Sequence, residues 1–230
     1  QLDRKIDASL GRLQRNFVEL YQLHNRIQSV GDKDNFSAKD ILKRGGVADV
    51  MEKFKSDERI KSIGITALGD IDAINEVVLS DCFDVAQIYY NLLNPSASYD
   101  TSENWNDHDF SNLINNCISK DMGIMNIRIY AAGYLATDKR HGREIPVTFG
   151  INENELNRRV EKINSILDDV KGTKAQKALR YGLSNSDMST IVIGLANIKH
   201  LEEALEGYNL GHLDEEILVK IKKLQNNNFN

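Results

Sequence analysis

What most constrains this chain is an alternation that keeps returning: a stretch with apolar residues at helical spacing, then a short apolar run of strand length. Leu2, Ile6, Leu10 and Leu13 recur at helical spacing, and FVELYQL at residues 17–23 then drops to a strand-like period. A polar loop rich in Asp, Ser and Asn follows. The unit returns as a helix over 47–55 with a buried strand, IKSIGIT, over 60–66, and again as a helix over 71–79 with FDVAQIYYN over 83–91. A helix over 110–120 feeds GIMNIRIY at 123–130, and helical stretches at 156–167 and 174–183 precede a fifth strand, STIVIGLA, at 189–196. Helices over 201–208 and 215–224 lead to an asparagine-rich end.

Strands separated by helices, and apolar along their length, predict a parallel α/β architecture covered on both faces. A closed (β/α)8 TIM barrel takes about 250 residues and eight units. Five units that begin within a helix read as the C-terminal part of such a barrel, incomplete at its N-terminus. An open doubly wound sheet is the alternative, and no G-x-G-x-x-G follows a strand to support it. A length of 230 residues with 41% hydrophobic and 27% charged content is enough for one domain over residues 1–230. A formal charge of −5, with no basic stripe interleaved with aromatics, argues against nucleic acid. Cys82 and Cys117 are too few for a disulfide framework or zinc site, and no apolar run approaches the roughly 20 residues of a membrane helix. The chain opens on Gln1 with no signal-peptide pattern, so a cytoplasmic protein lacking its N-terminal part is expected.

Three polar residues stand out against this apolar background. His24 closes the first strand at its C-terminal end, where parallel α/β proteins keep their chemistry, although on position alone a satisfied core or rim histidine is the favoured explanation. Gln87 lies inside DVAQIYY, where an unpaired buried amide costs roughly 1–3 kcal/mol, so it needs a neighbouring strand, a water or a ligand amide as partner. Arg128, in GIMNIRIY, is expected to form a salt bridge at the end of its strand. DKDNF at 32–36 begins like a calcium loop but lacks the required Gly and Glu, and reads as a solvated turn. His108, His141, His200 and His212 share no ligand spacing, and Gly45 and Gly46 lack the Lys and Ser or Thr of a phosphate loop, so no metal is implied. The connection over 131–153 is long enough to act as a lid.

In order along the chain, SLGRLQRNFVELYQLH, IKSIGIT, FDVAQIYYNLLNPS, GIMNIRIYAAGYL and STIVIGLANIKHLEEAL resemble consecutive segments of the aldo-keto reductases, from the third helix to the eighth. Five such segments at sensible spacing are similar to the bacterial branch of that family. The resemblance implies a (β/α)8 barrel that binds NAD or NADP without a Rossmann domain and transfers hydride to or from an aldehyde, ketone or sugar carbonyl or hydroxyl. It makes His24 the catalytic histidine, with the family's Tyr, Asp and Lys on units that precede the matched segments. Gln87 then meets the nicotinamide carboxamide, and Thr66 keeps a hydrogen bond that Ala67 cannot. The aromatic that stacks on the nicotinamide aligns near Ile127, with Tyr130 three residues on. Ala131, Gly133 and Leu135 fall in the pyrophosphate-side loop, and Gly194, Ala196, Asn197 and His200 at the adenosine-phosphate end. Ala196 replaces an arginine common in NADP-selective members, with Lys199 and His200 close behind. The alternative function is a non-catalytic cofactor-binding or regulatory barrel.

Overall fold

A computed structural model describes residues 2–139, 142 and 150–230. In chain order the elements are α1 (Leu2–Leu13), β1 (Val18–Leu23), β2 (Ile27–Gln28), β3 (Phe36–Ser37), α2 (Ala38–Leu42), α3 (Val47–Ser56), β4 (Ile60–Thr66), α4 (Ile71–Val78), β5 (Val85–Tyr89) and α5 (Leu113–Ser119). There follow β6 (Gly123–Ile127), a 3-10 turn (Ala131–Gly133), α6 (Glu153–Leu167), α7 (Lys174–Leu183), β7 (Thr190–Ile191), α8 (Ile198–Asn209) and α9 (Glu215–Asn226). The chain divides into two compact units, Gln1–Gln87 with Asn116–Ile124 and Ile88–Asn115 with Met125–Asn230.

In the first unit β1, β4 and β5 lie side by side, all parallel, with Gln22 opposite Gly64, Leu23 opposite Ile65, and Thr66 opposite Gln87. Because successive side chains alternate, this register puts Gln22, Gly64, Thr66 and Gln87 on one face and Tyr21, Leu23, Ile63, Ile65 and Ala86 on the other. The second face is the greasy one: Ile63, Ile65 and Ala86 are buried, and Tyr21 meets the fully buried Phe54 of α3 edge-on. Strand order is reinforced at the opposite end by Asp84, which accepts from Lys55 Nζ at 2.9 Å and from the Ile63 amide at 2.8 Å. Arg59 lies over the Phe54 ring and pairs with Asp3 and Asp7 of α1 at 3.0 and 3.1 Å, holding that helix where Ile6 and Leu10 are buried.

In the second unit β6 and β7 pair in parallel through Met125 and Thr190 and through Asn126 and Ile191. The core gathers Tyr90, Leu93, Val160, Ile163, Tyr181, Ile221 and Phe229, with Tyr90 and Tyr181 stacked at 5.2 Å between ring centres. At its margin sits a fully buried guanidinium, Arg159, whose charge is offset from every side. It donates to Glu155 at 3.2 Å, to the Leu93 carbonyl at 3.2 Å, to Asn228 Oδ1 at 3.0 Å and to Asn106, and it lies over the Trp105 and Phe229 rings. Asp107 stands 3.7 Å away, its carboxyl raised above the ordinary range by burial.

Several elements differ from the sequence reading, each for a local reason. The strand expected over 123–130 stops at Ile127, because Arg128 turns into the left-handed region at φ 61°. With β6 ended, the strand expected over 189–196 loses its partner: only Thr190–Ile191 pair, and Val192 and Leu195 are exposed. The helix expected from 110 begins at Leu113, after Ser111 and Asn112 at φ 46° and 55°. The supposed loop after β1 contains the short β2–β3 pair and α2, capped by Ser37. Two-residue strands carry no hydrophobic period to read. DKDNF is a turn built on Asp32, which accepts from the amides of Asp34 and Asn35. Cys82 and Cys117 are free thiols. The lid reading over 131–153 falls in part on residues outside those described, 140, 141 and 143–149, among them His141.

The buried guanidinium gives the first prediction. Arg159→Leu strands Asp107 as an uncompensated buried charge and should cost about 3–5 kcal/mol, whereas adding Asp107→Asn should recover at least about 1 kcal/mol, read from urea unfolding of the two variants.

Candidate functional site

Two groups of residues occupy C-terminal strand ends, one in each unit. In the first, Thr66 closes β4 and is buried, and Gln87 faces it from β5 in direct register. The Thr66 hydroxyl donates to Gln87 Oε1 at 2.9 Å, and Gln87 Nε2 donates to Gln22 Oε1 at 3.0 Å. The Ala67 amide donates to the Gln87 carbonyl at 2.9 Å, tying backbone as well as side chain at this point. The partners that Gln87 needs are therefore supplied by the adjacent β4 and, across it, by β1, and its planar amide is held at both its oxygen and its nitrogen ends. Gly64 makes this possible: a Cβ there would stand 3.1 Å from Gln22 Cγ, 3.2 Å from Gln22 Nε2 and 2.9 Å from the Val85 carbonyl oxygen. Gln22 lies in the space that the missing side chain leaves.

His24 follows β1 directly, two residues beyond Gln22. It is exposed, and among the described residues it makes no hydrogen bond or ion pair, so it is not the satisfied core or rim histidine that its position allowed. Arg128 likewise departs from expectation. Its side chain is exposed and forms no ion pair among the described residues; its backbone does the work, with its carbonyl accepting from Asn91 Nδ2 at 3.0 Å and the Ala131 amide at 2.8 Å.

The second group begins in that same turn. Ala131 and Ala132 are left-handed at φ 46° and 56°, and Gly133 follows at φ 104° with open space where a side chain would stand. Three non-glycine residues in the left-handed region within five positions concentrate strain, a pattern found at ligand sites. The turn is closed by the Tyr130 carbonyl, which accepts from the amides of Gly133 at 2.8 Å and Leu135 at 3.2 Å. Ala131 and Leu135 send their side chains into the core, so only their backbone is available to a ligand. The Tyr130 ring also packs on that core, and burial followed by the nearby Glu203 pushes its phenol up to about 12.

Farther on, Gly194, Ala196, Asn197 and His200 are all exposed around the start of α8. Asn197 caps the helix by accepting from the His200 amide at 3.1 Å, and His200 Nδ1 accepts from the Ala196 amide at 3.3 Å. The imidazole is thus engaged with its own helix cap. Thr66 and Gln87 are thus brought together, as are Tyr130 to Leu135 in one turn and Ala196, Asn197 and His200 at one helix start. Gln22 and Gly64 escaped the sequence reading. Their signal was a second amide at the same strand parity as His24, and a glycine between two isoleucines of a strand.

The model of the aldo/keto reductase family matches residues 1–226. The chain belongs to the aldo/keto reductase family. An aldo-keto reductase of Bacillus halodurans in its holo form superimposes with a TM-score of 0.72 at 18% identity, over 97% of this chain and 64% of that one. The apo form of the same enzyme gives 0.69 at 20% identity, over 97% and 67%. An aldo/keto reductase of Klebsiella pneumoniae, in complex with NADP and acetate, gives 0.65 at 18% identity over 98% and 65%. The chain therefore spans about two thirds of the length of these barrels, and shares their parallel α/β fold. No curated protein matches it. Among the described residues, no helix is long and apolar enough to cross a membrane.

Proposed function

We propose that residues 1–230 act as one aldo-keto reductase domain, supplying the histidine and cofactor-contacting part of an NAD(P)-dependent oxidoreductase for aldehydes, ketones or sugar carbonyls, and corresponding to the C-terminal five or so βα units of a barrel. The observation that carries this reading is the amide of Gln87, held between Thr66 and Gln22 at the C-terminal ends of parallel strands. A planar donor and acceptor fixed in this way suits the carboxamide of a nicotinamide ring, so the residues present fit the group. When bound, the cofactor supplies or accepts hydride at its ring. Gln87 would hold the carboxamide, with Thr66 bracing it. His24, exposed just past β1, has both ring nitrogens available to orient and polarise a carbonyl oxygen. The backbone of Ala131, Gly133 and Leu135, whose turn leaves open space at Gly133, suits close approach of a pyrophosphate. The start of α8, with Gly194, Ala196, Asn197 and His200, suits the adenosine phosphates.

The family's acid tyrosine, with its lysine and aspartate, has no counterpart among the matched segments. The 230 residues alone should therefore show no steady NAD(P)H oxidation with a panel of aldehydes, and sustained turnover would count against the assignment of roles. In an active form that also carries those three residues, His24→Ala should lower kcat/KM by more than about tenfold, about 1.4 kcal/mol, with little change in cofactor affinity. An unchanged rate would remove His24 from the chemistry and favour the regulatory reading.

Cofactor preference follows from the α8 start. Ala196 offers no guanidinium, the His200 ring is engaged with its own helix cap, and exposed Lys199 remains as a flexible point charge. The active form should use NAD at least as well as NADP. Comparing kcat/KM for the two, with Lys199→Ala as control, tests this; an NADP preference above about a hundredfold, about 2.7 kcal/mol, would refute it.

A further inference from the structure

We propose that Gln22 is a positioning residue that sets which end of the Gln87 carboxamide is presented beyond the ends of β4 and β5; this rests on the reading of Gln87 as a nicotinamide contact. The oxygen and nitrogen ends of a glutamine amide are nearly the same size, so packing alone does not choose between them. Hydrogen bonds must. Thr66 touches Gln87 Oε1 at 2.9 Å, but a hydroxyl both donates and accepts, so it follows whichever end it meets. Gln22 turns its oxygen to this contact: that Oε1, which only accepts, takes the Gln87 Nε2 proton at 3.0 Å, so the two amides are oriented as a pair. It reaches across β4 because the residue opposite it is Gly64, where a Cβ would come within 3.1 Å of Gln22 Cγ and 3.2 Å of its Nε2. With one proton given to Gln22 and one lone pair taken by Thr66, Gln87 keeps, among the described residues, one N–H and one lone pair. That remaining pair is the complement of a primary carboxamide.

The test uses the whole chain and has two arms. In the first, exchange of the Gln87 side-chain amide protons is followed by NMR, the resonance being assigned by its loss in Gln87→Leu. Gln22→Leu should speed exchange by about tenfold or more, and Gln22→Glu, which keeps an acceptor in place, should restore it to within about threefold of wild type. In the second, binding of NADH is compared with that of its 3-acetylpyridine analogue, in which a methyl replaces the carboxamide nitrogen. Wild type and Gln22→Glu should discriminate between them, and Gln22→Leu should narrow the ratio of Kd values by at least about fivefold. Equal exchange in wild type and Gln22→Leu overturns the proposal whatever the dinucleotides do, and so does an unchanged Kd ratio in Gln22→Leu. If exchange responds as expected and wild type binds neither dinucleotide, the hold of Gln22 on Gln87 stands and the cofactor reading alone falls.

Discussion

The register of three parallel strands governs what the first unit can do. Gln22 faces Gly64, and Thr66 faces Gln87, only because β1, β4 and β5 pair as they do. A slip of one residue would carry the amides to the greasy face and bring Ile63 and Ile65 out in their place. The apolar face therefore enforces the polar one. Burial of Ile63, Ile65, Ala86 and Phe54 fixes the register, and the hydrogen-bonded amides are positioned as a result.

The second unit solves a different problem with a different device. Its core is large and aromatic, yet it tolerates a fully buried cation, because Arg159 meets carbonyl, amide and carboxylate oxygens around its plane and rings against its faces. Tyr90, Tyr181 and Gln225 are satisfied on the same principle: Gln225 Nε2 donates to the Leu92 carbonyl at 2.9 Å and to the Tyr181 hydroxyl at 3.3 Å, and accepts from Tyr99. Such a margin specifies one arrangement of the C-terminal residues, since Asn228 and Phe229 are both part of the cation's surroundings.

Long periodic segments were legible from the sequence, and brief ones were not. α1, α3, β4 and α7 fall where the spacing of apolar residues puts them, because each buries a face long enough to leave a pattern. β7 read as eight residues and pairs over two, since the apolar pattern reports what a segment needs buried and not how far its neighbour extends. The same limit explains Arg128 and His24. Nothing in their sequence context announces that one is a left-handed backbone corner or that the other has no hydrogen-bond partner among the described residues. Gln87 was legible because a polar residue inside a strand demands a partner, while Gln22, the partner it found, lay across an intervening strand and left only its parity with His24 to read.

The left-handed corner formed by Arg128, Ala131 and Ala132 has a consequence for how this chain can drift under mutation. Each residue there carries a conformational penalty of about 1–3 kcal/mol that glycine would escape, so most random changes in the fold cost stability while a change to glycine at these positions relieves strain. Glycine also loosens the unfolded chain, which cancels part of that relief. The corner thus accepts mutation to glycine without loss of stability, and any persistence of arginine or alanine in descendants of this sequence would measure a demand on shape rather than on stability.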